Sequence, residues 1–113
     1  MSDASLTSRL RRLPVATVSG HEVRVAGDRC SRLLGLAYLD RPQAGPGLLL
    51  PRCSSVHTFG MRFELDLYFL DERGEVIAIR RALPPRRFAF CWRSTSVLEL
   101  PAREGGEIAP VGP

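Results

Sequence analysis

From Phe63 to Leu70 the chain alternates: Phe63, Leu65, Leu67 and Phe69 fall on one side of an extended segment, and Glu64, Asp66, Tyr68 and Leu70 on the other. That period of two is the mark of a strand with one fully apolar face. Asp71-Glu72-Arg73-Gly74 follows as a turn, with Asp at its first position and Gly at its last, and Glu75 to Ile79 returns as the partner strand. Upstream, Val15 to Val18 and Glu22 to Ala26 flank Ser19-Gly20-His21, two β-branched runs about a tight turn, which predicts a hairpin.

The period changes once. Asp28 stands as an N-cap before Leu33, Leu34 and Leu36, so a short helix is expected near residues 28–37. Gly35 inside it costs about 1 kcal/mol relative to Ala, which shortens the helix or allows close packing on a sheet. Residues 40 to 47 read as a loop, Gly47 to Pro51 as a short buried strand, and Ser96 to Leu100 as another closed by Pro101. Phe88, Phe90 and Trp92 alternate in the manner of a core face, and a weak last strand fits around Glu107 to Ala109. These elements sum to a mainly β fold, a small antiparallel barrel or sandwich of seven or eight short strands with one short helix. Residues 1–13 are expected to be a flexible arm and residues 14–113 a single β domain.

Composition narrows the class without changing it. A chain of 113 residues supports one hydrophobic core, and its 10 Gly and 9 Pro favour many short elements. All 16 basic residues are Arg and the net charge is +4, but the arginines are scattered, as on a solvated surface. The N-terminus lacks the apolar run of a signal peptide and no stretch is long enough to span a bilayer, so the sequence reads as cytoplasmic. Three widely spaced cysteines, Cys30, Cys53 and Cys91, do not make a disulfide framework. A metal site would have to gather them with His57 or His21 without any CxxC pair, and neither metal nor cofactor is expected.

The segments SRLLGL, VHTFGMRFELDLYFLDERGEV and SVLELPA, in that order, resemble the signatures of a family known as domain of unknown function 192, over roughly residues 15 to 110. The resemblance implies a compact, mostly antiparallel β domain with a small helix and no established activity. Its pattern falls on Gly35, His57, Thr58, Met61, Asp66, Asp71, Gly74, Glu99 and Pro101. The chain departs from it at Leu36, Glu64 and Arg103, where a basic residue, a proline and a glycine are usual.

Three titratable residues carry the candidate chemistry. His57, Asp66 and Glu99 lie on or beside expected core strands, and a histidine next to carboxylates is the minimum an acid-base enzyme needs. Buried polar groups are also paired for stability alone, and no nucleophile elbow surrounds Cys53, Ser54, Ser55 or Thr58. The preferred expectation is therefore a non-catalytic domain that binds a small molecule or a peptide segment. Its polar site would comprise His57, Thr58, Asp66 and Glu99, with Arg62 and Trp92 at the rim. A hydrolase-like enzyme using His57 with Asp66 or Glu99 is the first alternative. The second is a weak binder of single-stranded nucleic acid, through Phe88, Phe90 and Trp92 beside Arg86, Arg87 and Arg93; nucleic acid is the less favoured partner.

Overall fold

The computed structural model of the protein describes residues 8–18, 20–28, 32 and 35–102. Its described residues are mainly β, with eight strands in two sheets. The strands are β1 (Val15–Val18), β2 (His21–Val25), β3 (Leu48–Pro51), β4 (Ser55–His57), β5 (Leu65–Leu70), β6 (Val76–Leu83), β7 (Phe88–Phe90) and β8 (Ser96–Pro101). Six form one sheet in the order β1-β2-β3-β8-β5-β6, and β4 pairs with β7 as a separate two-stranded ribbon.

The fold is mainly β as expected, and two features amend the antiparallel barrel or sandwich read from the pattern. The large sheet runs open from β1 to β6 and does not close on itself. It is also mixed, because β2 pairs parallel to β3, Arg24 against Leu48 and Val25 against Leu49. The residues between them, including the 3-10 turn Arg41–Ala44, carry the chain across to a parallel start.

Both expected hairpins form. Val18 opposes His21 across the first turn. In the second, β5 pairs with β6 and Asp71 organises the turn: its Oδ1 accepts from Arg73 N at 2.9 Å and Glu75 N at 3.0 Å, while Gly74 N donates to Asp71 O at 2.9 Å. Gly74 has φ 80°, a backbone that favours glycine.

Strand β5 is buried along its whole length rather than on one side. It sits between β8 and β6, and each face of the sheet meets its own apolar cluster. Leu65, Leu67 and Phe69 join Leu48, Leu50, Leu36 and Val97 on the first face. Tyr68 and Leu70 join Leu98, Leu100 and Val23 on the second. Val23 of β2 joins this cluster over Gly47, where an added Cβ would meet the side chains of both Val23 and Leu100 of β8.

Other expectations are amended locally. The arm expected over residues 1–13 is, from Ser8, one turn of helix, α1 (Ser8–Arg11). It is held because Leu10 is buried in the first cluster and Arg9 Nη2 donates to Gly35 O and Ala37 O, each at 3.0 Å. Of the helix expected near residues 28–37, Arg32 is helical and its N–H donates to Asp28 O at 3.0 Å; residues 29–31, 33 and 34 lie outside the described residues, as does the weak strand at 107–109. At Gly35 φ turns to 53° and the helical course has ended. No described helix is long and apolar enough to cross a membrane.

Candidate functional site

Glu99 occupies the middle of β8, opposite Leu48 of β3 and Leu67 of β5. Directly opposed residues share a face, so the strand pattern that buries Leu67 also drives a carboxyl side chain into the first apolar cluster, where Glu99 is 3% exposed. The backbone N–H of Leu36 donates to that carboxyl, and Oε1 has no partner among the described residues.

Gly35 allows this approach. A Cβ added there would lie 2.9 Å from Glu99 Oε1, and its φ of 53° is itself a conformation side chains resist. Burial pushes the Glu99 carboxyl up to about 8, against the Leu36 hydrogen bond, which favours the charged form. At neutral pH the group is mostly protonated.

Glu99 forms part of the wall of a cleft of about 180 Å³ between the large sheet and the β4–β7 ribbon. Leu36, Leu50, Val56 and Met61 give it apolar sides, and Arg32, Ser55 and His57 supply its other polar groups. Arg32 Nη1 donates to Pro51 O at 3.4 Å and Arg52 O at 3.2 Å, whereas its Nε is buried without a partner among the described residues. His57 ends β4, opposite Phe88 of β7. Its Nδ1 accepts from Phe59 N at 3.3 Å, so in the neutral ring the proton sits on Nε2. Phe88 packs edgewise against His57 and Phe59, its centroid 5.4 Å from that of Phe59, and the His57 and Phe59 rings are tilted at 42°.

The six residues expected to bind ligand therefore separate. His57 and Glu99 share the cleft. Asp66 does not join them: it opposes Leu100, one register step from the Leu67–Glu99 pair, and its side chain leaves the opposite face of the sheet. There Asp66 Oδ1 accepts from Ala82 N at 2.7 Å, holding a residue of φ 52° beside an irregularity in the β5–β6 pairing. Thr58 is fully buried, donating to Pro84 O at 2.7 Å and accepting from Arg87 N at 2.8 Å, a clamp on the connection to β7. Arg62 makes an exposed ion pair with Asp40 at 3.2 Å. Trp92 is 71% exposed, with the Arg93 guanidinium over its ring at 5.2 Å. Neither Arg62 nor Trp92 lines the cleft.

The Phe88, Phe90 and Trp92 alternation, read as a core face, points outward. Phe88 is 73% exposed and Ala89 is buried, because the ribbon sets Val56 and Ala89 against the core and turns its other side to solvent. Cys53 is no activated nucleophile: its thiol donates to Ser55 O at 3.0 Å and burial pushes its pKa up, away from the thiolate. Cys91 is also free and Cys30 lies outside the described residues. Among the described residues no group of three or more His, Cys, Asp and Glu is placed to hold a metal ion.

Arg32, Leu36, Ser55 and Phe88 are cleft residues that sequence reasoning did not connect with Glu99. The one available signal was Gly35, a helix-breaking residue within an apolar stripe, whose close approach proves to be to that carboxyl.

Comparison with known proteins agrees with this architecture. The family model for domain of unknown function 192, described as "Uncharacterized ACR", matches residues 14–108. Among solved structures the chain is similar to a putative transcription regulator from Sinorhizobium meliloti 1021, with TM-score 0.65 and 24% identity over 78% of this chain and 77% of that one. It is also similar to a protein of unknown function from Novosphingobium aromaticivorans DSM 12444, with TM-score 0.60 and 19% identity over 78% of this chain and 70% of that one. At these identities the likeness concerns the fold. No curated protein matches the sequence.

Proposed function

The chain belongs to the domain of unknown function 192 family, and we propose that within this fold it serves as a small binding module whose ligand enters the cleft beside Glu99. One observation carries the reading: Glu99 is a lining residue of the cleft, and its carboxyl, set among leucines, keeps one buried oxygen without a partner among the described residues. An orphaned buried polar atom costs about 1–3 kcal/mol, and a ligand that pairs with it recovers that loss. Because an apolar cavity of similar volume holds a benzene-sized molecule, the cleft suits a body of about six to ten non-hydrogen atoms. The exposed rings of Phe59 and Phe88 extend its apolar wall toward solvent.

Methyl-resolved NMR tests this directly. Fragments of that size, titrated to millimolar concentration, are expected to shift the methyl signals of Leu36, Leu50, Val56 and Met61 and to leave Ile77 on β6 unmoved. A panel that moves none of the four cleft residues sinks the reading.

A second reading draws on the outward-facing aromatics. Phe88, Phe90 and Trp92 are exposed, and the exposed Arg86, Arg87 and Arg93 flank them in sequence, a combination that can stack bases and hold phosphates of a single strand. The name of the Sinorhizobium structure is compatible with such a role. Titration with a mixed oligonucleotide pool separates the two readings: salt-sensitive binding at low ionic strength supports the second, and none removes it.

A further inference from the structure

Two residues of the cleft lining, Glu99 and Arg32, each hold a buried polar atom without a partner among the described residues, and each of these atoms can be a donor. Leu36 N–H donates to the Glu99 carboxyl, and a neutral carboxyl accepts such a bond on its carbonyl oxygen. The hydroxyl then falls on Oε1, the oxygen without a partner. Arg32 Nε–H is the second donor and belongs to a permanent cation. His57 on the same wall presents Nε2–H as a third donor, since Nδ1 accepts from Phe59, and Ser55 adds a hydroxyl that can donate or accept. Three donors, one of them charged, set among leucine, valine and methionine side chains, ask for an anionic acceptor on an apolar body.

We infer that the cleft takes a small carboxylate: an apolar group of benzoate size between Leu36, Leu50, Val56 and Met61, with its carboxylate facing Glu99 Oε1 and Arg32. The inference rests on the cleft being a binding site and adds the chemistry of the ligand. A planar carboxylate matches the paired donors and the confined volume. An amine would need Glu99 ionised, and would then meet the Arg32 cation on the same wall. The same carboxylate chemistry is carried by a free acid and by the C-terminus of a peptide ending in an apolar residue.

Ionising Glu99 replaces a donor with a second anion, so binding must weaken as pH rises through its titration. The other groups around it do not reproduce this. Arg32 on the cleft wall and Arg9, which donates to the Gly35 and Ala37 carbonyls, keep their charge. The neighbouring strand residues Leu48 and Leu67 are apolar. The Cys53 thiol, electrostatically linked to Glu99, already donates to Ser55 O. His57 is the remaining titratable group on the wall, and Glu99→Gln, which leaves it in place, separates its contribution from that of Glu99.

Benzoate, benzamide, benzylamine and N-acetyl-leucine are titrated against the full chain at pH 6.5 and pH 9, read by the same cleft methyl signals. Benzoate is expected to bind at least about tenfold more tightly than benzylamine at the lower pH, and to lose about tenfold in affinity at the higher, where the competent protonated fraction is small. N-acetyl-leucine binding more tightly than benzoate assigns the carboxylate to a chain terminus, and the reverse order assigns it to a free acid; either result supports the class. Benzylamine or benzamide binding as well as benzoate overturns the carboxylate while leaving the cleft a binding site, whereas silence from all four probes defeats both. Glu99→Gln presents an N–H donor in place of the hydroxyl, so benzoate should still bind at pH 6.5 and no longer weaken at pH 9. A folded Glu99→Gln protein that keeps the wild-type pH dependence, or loses binding at both pH values, overturns the role of Glu99. If that variant does not fold, the ranking and pH response of the unaltered chain decide.

Discussion

Asp66 and Glu99 stand on neighbouring strands, one register step apart, and are equally buried at 3% exposure. Their surroundings differ completely. Asp66 gives its Oδ1 to Ala82 N at 2.7 Å and stabilises a strained position in β6. Glu99 accepts from Leu36 N–H, keeps Oε1 buried without a partner among the described residues, and lines a cleft. Burial of a carboxylate is therefore a poor guide to function by itself. The distinction comes from asking where each polar atom finds its partner: the Asp66 oxygen is matched to a backbone donor and serves the fold, whereas Glu99 keeps an unpartnered oxygen on a residue that lines a cleft.

The sharpest test of this contrast is the pH dependence of stability. The Glu99 carboxyl is raised by burial from 4.5 to about 8. Between these values the folded chain holds a proton that the unfolded chain has released, so stability must fall as pH rises. The stabilisation is complete below about 4.5, declines through the neutral range, and levels off above about 8. A shift of this size corresponds to a few kcal/mol across the window. Urea denaturation at pH 5, 7 and 9 should trace the decline, and Glu99→Gln should remove most of it. A variant with the slope intact would mean that another group carries it.

Asp66 should matter to folding and not to binding. Asp66→Ala leaves the Ala82 N–H without its acceptor beneath the sheet, with an expected loss of about 2–3 kcal/mol at neutral pH. Asp66→Asn keeps an acceptor oxygen and should lose less. Since Asp66 lies across the sheet from the cleft, benzoate should shift the cleft methyl signals of the folded Asp66→Ala protein as it does those of the wild type. A loss below about 0.5 kcal/mol, within the range of ordinary surface changes, would remove Asp66 from its structural role.

Much of this was legible along the chain and some of it could not be. The alternation from Phe63 to Phe69 and the Asp71–Gly74 turn are local, and local physics places β5 and its hairpin correctly. Which buried acid faces a cleft depends on β8 being inserted between β3 and β5, a pairing of residues about thirty to fifty positions apart that no short window contains. The parallel β2–β3 pairing escaped for the same reason. Alternation at Phe88 and Phe90 likewise identifies a strand but not which of its faces is covered. Here Ala89 and Val56 face the core because the ribbon packs that way, and the larger side chains go outside.

Phe88 supplies the mildest and most discriminating perturbation. At 73% exposure it contributes little to the core, while its ring lies against Phe59 and on the cleft wall. Phe88→Ser should therefore change unfolding free energy by no more than about 0.5 kcal/mol, as is usual for an exposed position. The same substitution removes apolar wall next to the ligand, and an aromatic contact worth about 0.5–1.5 kcal/mol in buried settings, so benzoate affinity should fall about threefold. Denaturant titration and methyl NMR on one sample give both numbers. An exposed aromatic that matters for binding and a buried aspartate that matters for folding would complete the division that separates Glu99 from Asp66. Phe88→Ser unfolding more readily yet binding benzoate unchanged would reverse it, making the ribbon a structural brace and moving the ligand deeper, onto Glu99 and Arg32 alone.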